Sequence, residues 1–97
     1  MIRHIALFRW KDGVTADQVD HLCTVLDGFP ATVPDIKAYS FGADALGEPG
    51  NHDFAIVAEF DDADGYRRYR DDAGHKEIQT TVLRPLIAER VAVQVAF

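Results

Sequence analysis

The chain has a single cysteine, a single tryptophan and a single methionine, and it is short of positive charge. One thiol, Cys23, excludes an internal disulfide framework and a cysteine-based zinc finger. Ten Lys and Arg stand against sixteen Asp and Glu, for a formal net charge of −6. That balance argues against a nucleic-acid partner, because phosphate-backbone binding is built on clustered positive charge. No apolar run approaches the ~20 residues that span a bilayer, so no membrane partner is expected. Met1-Ile2-Arg3-His4 opens as a strand and not as a signal peptide. No linker, internal repeat or low-complexity tract interrupts the chain. What is present is a globular composition, 47% hydrophobic and 27% charged. The expectation is one soluble, cytoplasmic domain over residues 1–97, small enough to gain stability from a partner.

Ile2 to Trp10 reads as a first strand with apolar residues on both faces: His4, Ala6 and Phe8 on one, Ile5 and Leu7 on the other. Lys11-Asp12-Gly13 is a turn signal. Thr15-Ala16-Asp17-Gln18 matches a capping box, with Val14 and Val19 placed as a hydrophobic staple. Val19, Leu22, Cys23, Leu26 and Phe29 then form one helical stripe, which Gly28, Pro30 and Pro34 bring to an end. Ile36 to Phe41 suits a second strand, and the glycine-rich stretch from Gly42 to His52 a loop. Phe54 to Phe60 is a third strand, with an uninterrupted apolar run that implies burial on both faces. Asp61 or Asp62 caps a second helix through Ala63 to Tyr69. Asp71-Asp72-Ala73-Gly74 interrupts it, helix resumes from His75 to Leu83, and Pro85 ends it. Arg90 to Phe97 closes the chain as a fourth strand with Val91, Val93 and Val95 in alternation.

The order β-α-β-β-α-β is the ferredoxin-like α+β arrangement, an antiparallel four-stranded sheet with both helices on one face. Its other face is also apolar, and contiguous apolar patches beyond a few hundred Å² are rare on monomers. With no third helix to cover it, the expected cover is a second copy of the same sheet. The chain is therefore expected to pair as a two-fold homodimer, a dimeric α/β barrel.

Ile2-Arg3-His4-Ile5-Ala6-Leu7-Phe8-Arg9-Trp10-Lys11-Asp12-Gly13-Val14 resembles the opening of the stress-responsive A/B barrel domain family. Asp53 to Phe60, Tyr66 to His75 and Leu83-Arg84-Pro85-Leu86 follow in the same order, so the resemblance spans essentially the whole chain. It implies a dimeric α+β barrel, in agreement with the two-faced sheet. In plant polyketide cyclases that this chain resembles, a Tyr and a His act as acid/base partners in a Tyr-x-x-His-Pro-x-His motif. Tyr69 and His75 match its ends, whereas the inner His is Asp72 here and the Pro is Ala73. His4 matches a pocket His of the first strand, and Phe54 replaces one of the third.

On the residues alone, His75 has two readings. It is a general base beneath a helical break, or a helix-start group that only bonds locally. Tyr69 and Tyr66 share one side of a helix; core packing explains both, and only the resemblance singles out Tyr69 as a catalytic partner. His4 is either a satisfied core group or an orienting group for a substrate carbonyl. Phe8, Phe54, Ile56, Val91 and Val93 are expected to join His4 in walling an apolar pocket between sheet and helices, suited to a small apolar or aromatic ligand. His21 and His52 form no ligand spacing, so no metal site is expected, and no cofactor is implied. Four scattered histidines permit a haem ligand without pointing to one. Gly42 and Gly47 have the separation of a phosphate loop, but Glu48 stands where the lysine belongs. Arg67, Arg68 and Arg70 suit a solvated helix face or the steering of an anionic substrate.

Three functions follow: acid/base chemistry on a polyketide-like carbonyl compound without a cofactor, non-enzymatic ligand binding or a structural oligomer, and cofactor-free monooxygenation of quinones or phenols.

Overall fold

A computed structural model describes all residues from Met1 to Phe97. The strands are β1 (Ile2–Trp10), β2 (Ala38–Ala43), β3 (Phe54–Phe60) and β4 (Ile87–Ala96). They form one antiparallel sheet in the order β2-β3-β1-β4. Helix α1 (Ala16–Gly28) links β1 to β2, and helices α2 (Ala63–Asp71) and α3 (Ala73–Ile78) lead from β3 toward β4. This is the ferredoxin-like α+β fold. The shortest dimension of the molecule, 18 Å, is that of one sheet and one helical layer.

The local signals act as their chemistry requires. The Thr15 hydroxyl accepts from the Gln18 N–H while the Gln18 side chain accepts from the Thr15 N–H, a reciprocal cap that satisfies two orphan donors. Asp62, and not Asp61, caps α2, accepting from Gly65 N–H at 2.8 Å. Asp72 leaves helical backbone angles at ψ 133° and accepts from the His75 N–H, so the second helix breaks there and restarts. The restart comes two residues before His75, and Gln79–Leu83 continues as a π-helical turn before a 3₁₀ turn at Arg84–Leu86.

Two strand boundaries differ from the sequence expectation. β2 begins at Ala38 because a 3₁₀ turn at Pro30–Thr32 and a following bond from Ile36 N–H to the Val33 carbonyl hold the chain in turns. β4 begins at Ile87, where a register shift between Arg9 and Trp10 lets Ile87 pair with Trp10.

Strand parity divides the sheet. His4, Ala6 and Phe8 of β1 lie with Phe54, Ile56, Ala58 and Phe60 of β3 beneath the helices, all buried. There Ala6, Phe8, Phe54 and Ile56 pack against Leu22 and Leu26 of α1 and against Leu83 and Leu86. A neighbouring cluster joins Phe29, Val33, Ala58, Phe60 and Tyr69. On the opposite face nothing covers the sheet, and Leu7, Val91, Val93 and Val95 are 36–52% exposed. No helix is long and apolar enough to cross a membrane.

Candidate functional site

The break at Asp72 turns His75 toward the end of α1 and the preceding helix. Its ring lies 4.1 Å from that of Tyr69 and 5.8 Å from that of Phe29, centroid to centroid. His4 rises from β1 to meet the same group, 5.0 Å from Tyr66 and 6.0 Å from Tyr69. The structure thus brings together His4, Tyr69 and His75, which are far apart in sequence, and adds Tyr66.

Hydrogen bonds set the proton positions. Nδ1 of His75 sits 3.3 Å from the Arg70 carbonyl oxygen, which only accepts, so Nδ1 carries the hydrogen and Nε2 of the neutral ring keeps its lone pair. Gln94 of β4 lies opposite His4 in register, and its amide donates to His4 Nδ1 at 2.9 Å.

Burial holds the His4 imidazole at a pKa of about 4, with the charges of Arg90 and His75 pushing the same way, so His4 is neutral at pH 7. Burial also lowers His75, and Arg90 adds to this, while the Arg70 carbonyl and the Asp72 carboxylate oppose it. Burial pushes the Tyr69 phenol up, and neighbouring Tyr66 adds to this; Arg90 and the facing Tyr39 hydroxyl partly offset the rise. Tyr39 is itself pushed up, by burial first and by Tyr69 second. At neutral pH the cluster therefore holds a neutral base and protonated phenols, with no fixed charge among them. That composition suits abstraction of a proton next to a carbonyl whose oxygen is held by a phenol.

The expected pocket wall divides. Phe8, Phe54 and Ile56 are core residues packed against α1 and Leu83, and do not line a chamber with His4. Val91 and Val93 pair with Leu7 and Ile5 and project from the opposite face of the sheet, because strand alternation separates them from His4 by parity. Arg90, Ala92, Gln94 and Ala96 of β4 share the sheet face of His4, and the sequence reading passed over the two polar ones, Arg90 and Gln94. The signal was there, since valines at 91, 93 and 95 on one face put 90 and 94 on the other. The rings of His4, Tyr66, Tyr69 and His75 close on one another. An adjoining cleft of about 230 Å³ opens between Gln79, Leu83, Arg84, Ile87 and Arg90. His21 is exposed on α1, and His52 bonds Glu89 at 3.1 Å, both apart from this cluster. No three His, Cys, Asp or Glu side chains converge as a metal-binding group. Arg67, Arg68 and Arg70 pair with Asp64, Asp35 and Asp71 on the solvated side.

The antiparallel four-stranded sheet with its helices on one face places the chain among the small ferredoxin-like α+β proteins. The chain belongs to the stress responsive A/B barrel domain family, whose model matches residues 2–97. It is 34% identical over 79 residues to an uncharacterized protein of Streptomyces coelicolor, covering 78% of this chain and 80% of that protein. It resembles the crystal structure of a dimeric ferredoxin-like protein of unknown function from Thermobifida fusca, with a TM-score of 0.90 and 50% identity over 99% of this chain and 90% of that one. It also shares its fold with the hydroxynitrile lyase of Passiflora edulis, at a TM-score of 0.85 and 18% identity, covering 99% and 92% of the two chains.

Proposed function

We propose that the protein is a homodimeric enzyme that performs acid–base chemistry on a small carbonyl compound, with the polyketide-like class as substrate. The observation that carries this reading is the Tyr69–His75 contact, with the His75 Nδ1 hydrogen directed to the Arg70 carbonyl and Nε2 left as the basic atom. In this mechanism His75 Nε2 removes a proton from the carbon beside the carbonyl. The Tyr69 hydroxyl donates to the carbonyl oxygen as negative charge develops there, and neutral His4 orients the substrate. The resulting enolate attacks a second carbonyl of the same molecule, or is reprotonated by His75. A positioned general base contributes about 10²–10⁴-fold to such a step.

The dimer follows from the uncovered apolar face, and the related Thermobifida protein is described as dimeric. The description of the Passiflora protein as a lyase supports catalysis on this fold only in general terms, since one fold hosts many activities.

The test is deuterium exchange at the α carbon of a β-keto ester, followed by proton NMR in D₂O. The wild type is expected to accelerate exchange, and His75→Ala to lose about a hundredfold of that acceleration. Full activity in His75→Ala overturns the role of His75, and a wild type that fails to accelerate exchange overturns the enzymatic reading. One observation favours a non-enzymatic reading: His4 and Tyr69 are 4% and 3% exposed, as packed core groups are. A wild type without exchange activity that still forms a dimer would select it.

A further inference from the structure

Five of the ten Lys and Arg side chains in this acidic chain are neutralised locally. Arg3, Arg67, Arg68, Arg70 and Lys37 each hold a carboxylate, at 2.8–3.6 Å. Arg9, Lys11, Lys76, Arg84 and Arg90 hold none, and of these Arg84 and Arg90 line one cleft together. The cleft contains no acidic side chain. Glu89, next to Arg90 in the chain, belongs to the other strand parity and bonds His52. With no carboxylate in its walls, the cleft offers an anion two guanidiniums, each able to donate charge-assisted hydrogen bonds. The rest of the lining is Leu83 and Ile87, with the amide of Gln79.

The cleft is tied to the candidate site through Gln79 and Arg90, although none of the site's four rings lines it. Gln79 stands one helical turn beyond His75, and the π-helical turn Gln79–Leu83 forms one wall. Arg90 faces Phe8 in register, on the sheet face that carries Gln94 and His4. Its charge acts on His4, Tyr69 and His75 together.

We infer that this cleft is a carboxylate subsite: Arg90 and Arg84 bind the carboxylate of a short acyl compound, Leu83 and Ile87 cover its chain, and its carbonyl extends toward His75 and Tyr69. The placement of the carbonyl rests on the acid–base reading above, whereas the binding of the anion does not. A volume of about 230 Å³ suits a small chain of a few carbons and not a large ring system.

The experiment titrates the full-length protein with hexanoate and with hexanamide, its uncharged counterpart, while following the methyl resonances of Leu83 and Ile87 by NMR. Hexanoate is expected to shift both resonances saturably and to bind about tenfold or more tighter than hexanamide, with affinity falling as salt is added. Arg90→Gln is expected to abolish the preference, and Arg90→Lys to keep part of it, the folded state of each being checked by its amide spectrum. Equal binding of the two probes, no binding at millimolar concentration, or an unchanged preference in Arg90→Gln would each overturn the subsite. Equal displacement of hexanoate by inorganic phosphate would overturn its assignment to carboxylates. Because the readout is binding and not turnover, loss of exchange activity in His75→Ala leaves this result standing, and the reverse holds as well.

Discussion

At the scale of single residues, His4 shows how burial converts an ordinary side chain into a conditional one. Its folded pKa of about 4 lies below the ordinary value of 6.5, so between these values the unfolded chain binds a proton that the folded chain refuses. Stability is therefore present in full above about pH 6.5 and is lost as pH falls toward 4. The loss is on the order of 2 kcal/mol, allowing for solvent screening of the full shift. His75, lowered by the same cause, adds to the loss. Asp35 and Asp71, held below the usual carboxylate value by Arg68 and Arg70, release their contribution only at lower pH. Urea melts at pH 7 and pH 4.5 are expected to show this drop in the wild type and a smaller one in His4→Phe. An equal drop in both proteins would remove His4 as its source. His4, Tyr69 and His75 were legible in the sequence as candidates, because a histidine in an apolar strand and one beside a helix break are local features. Arg90, Gln94 and Tyr39 were not singled out, since their importance lies in register with residues up to ninety positions away.

At the scale of elements, the decisive feature is the interruption between α2 and α3. Asp-Asp-Ala-Gly announced it, and the structure identifies Asp72 as the residue that both ends one helix and caps the next. Gly74 makes room for this cap: a Cβ there would stand 3.1 Å from the Asp72 carboxylate oxygen. Asp72→Ala removes the acceptor for the His75 N–H and favours continuation of the helix, which would rotate His75 away from Tyr69. The expected cost is about 1 kcal/mol in a urea melt, accompanied by a fall in α-carbon exchange. Unchanged exchange at reduced stability would show that the cap does not position His75. The strand ends β2 and β4 were less legible, because they depend on where a partner strand offers hydrogen bonds. Ile36 has a strand-like side chain but is held in a turn, whereas Ile87 lies only two residues after Pro85 yet pairs with Trp10.

At the scale of the whole molecule, the question is what covers the second face of the sheet. Leu7, Val91, Val93, Val95 and Phe97 are exposed on the chain alone, along a fourth strand exposed over most of its length. The dimer we propose buries them. Val93 pairs with Ile5 on this face, and a carboxylate there would lose its water on association without gaining a partner. Val93→Asp is accordingly expected to weaken the dimer by about a hundredfold or more while leaving the far-ultraviolet circular dichroism unchanged. Sedimentation at micromolar concentration checks this; a monomeric wild type overturns the dimer itself.

By itself the sequence determined the kind and order of the elements, the cap of α1, and the fact that both sheet faces are apolar. Each of these follows from side chains within a few positions of one another, through spacing and backbone preference. Only the tertiary structure decided which side chains share a face across strands. It set Val91 and Val93 away from His4, brought Arg90 and Gln94 toward it, and closed the aromatic rings around Tyr69 and His75. The reason is register: antiparallel pairing assigns each residue a neighbour from a distant part of the chain, and a shift of one position reverses every face.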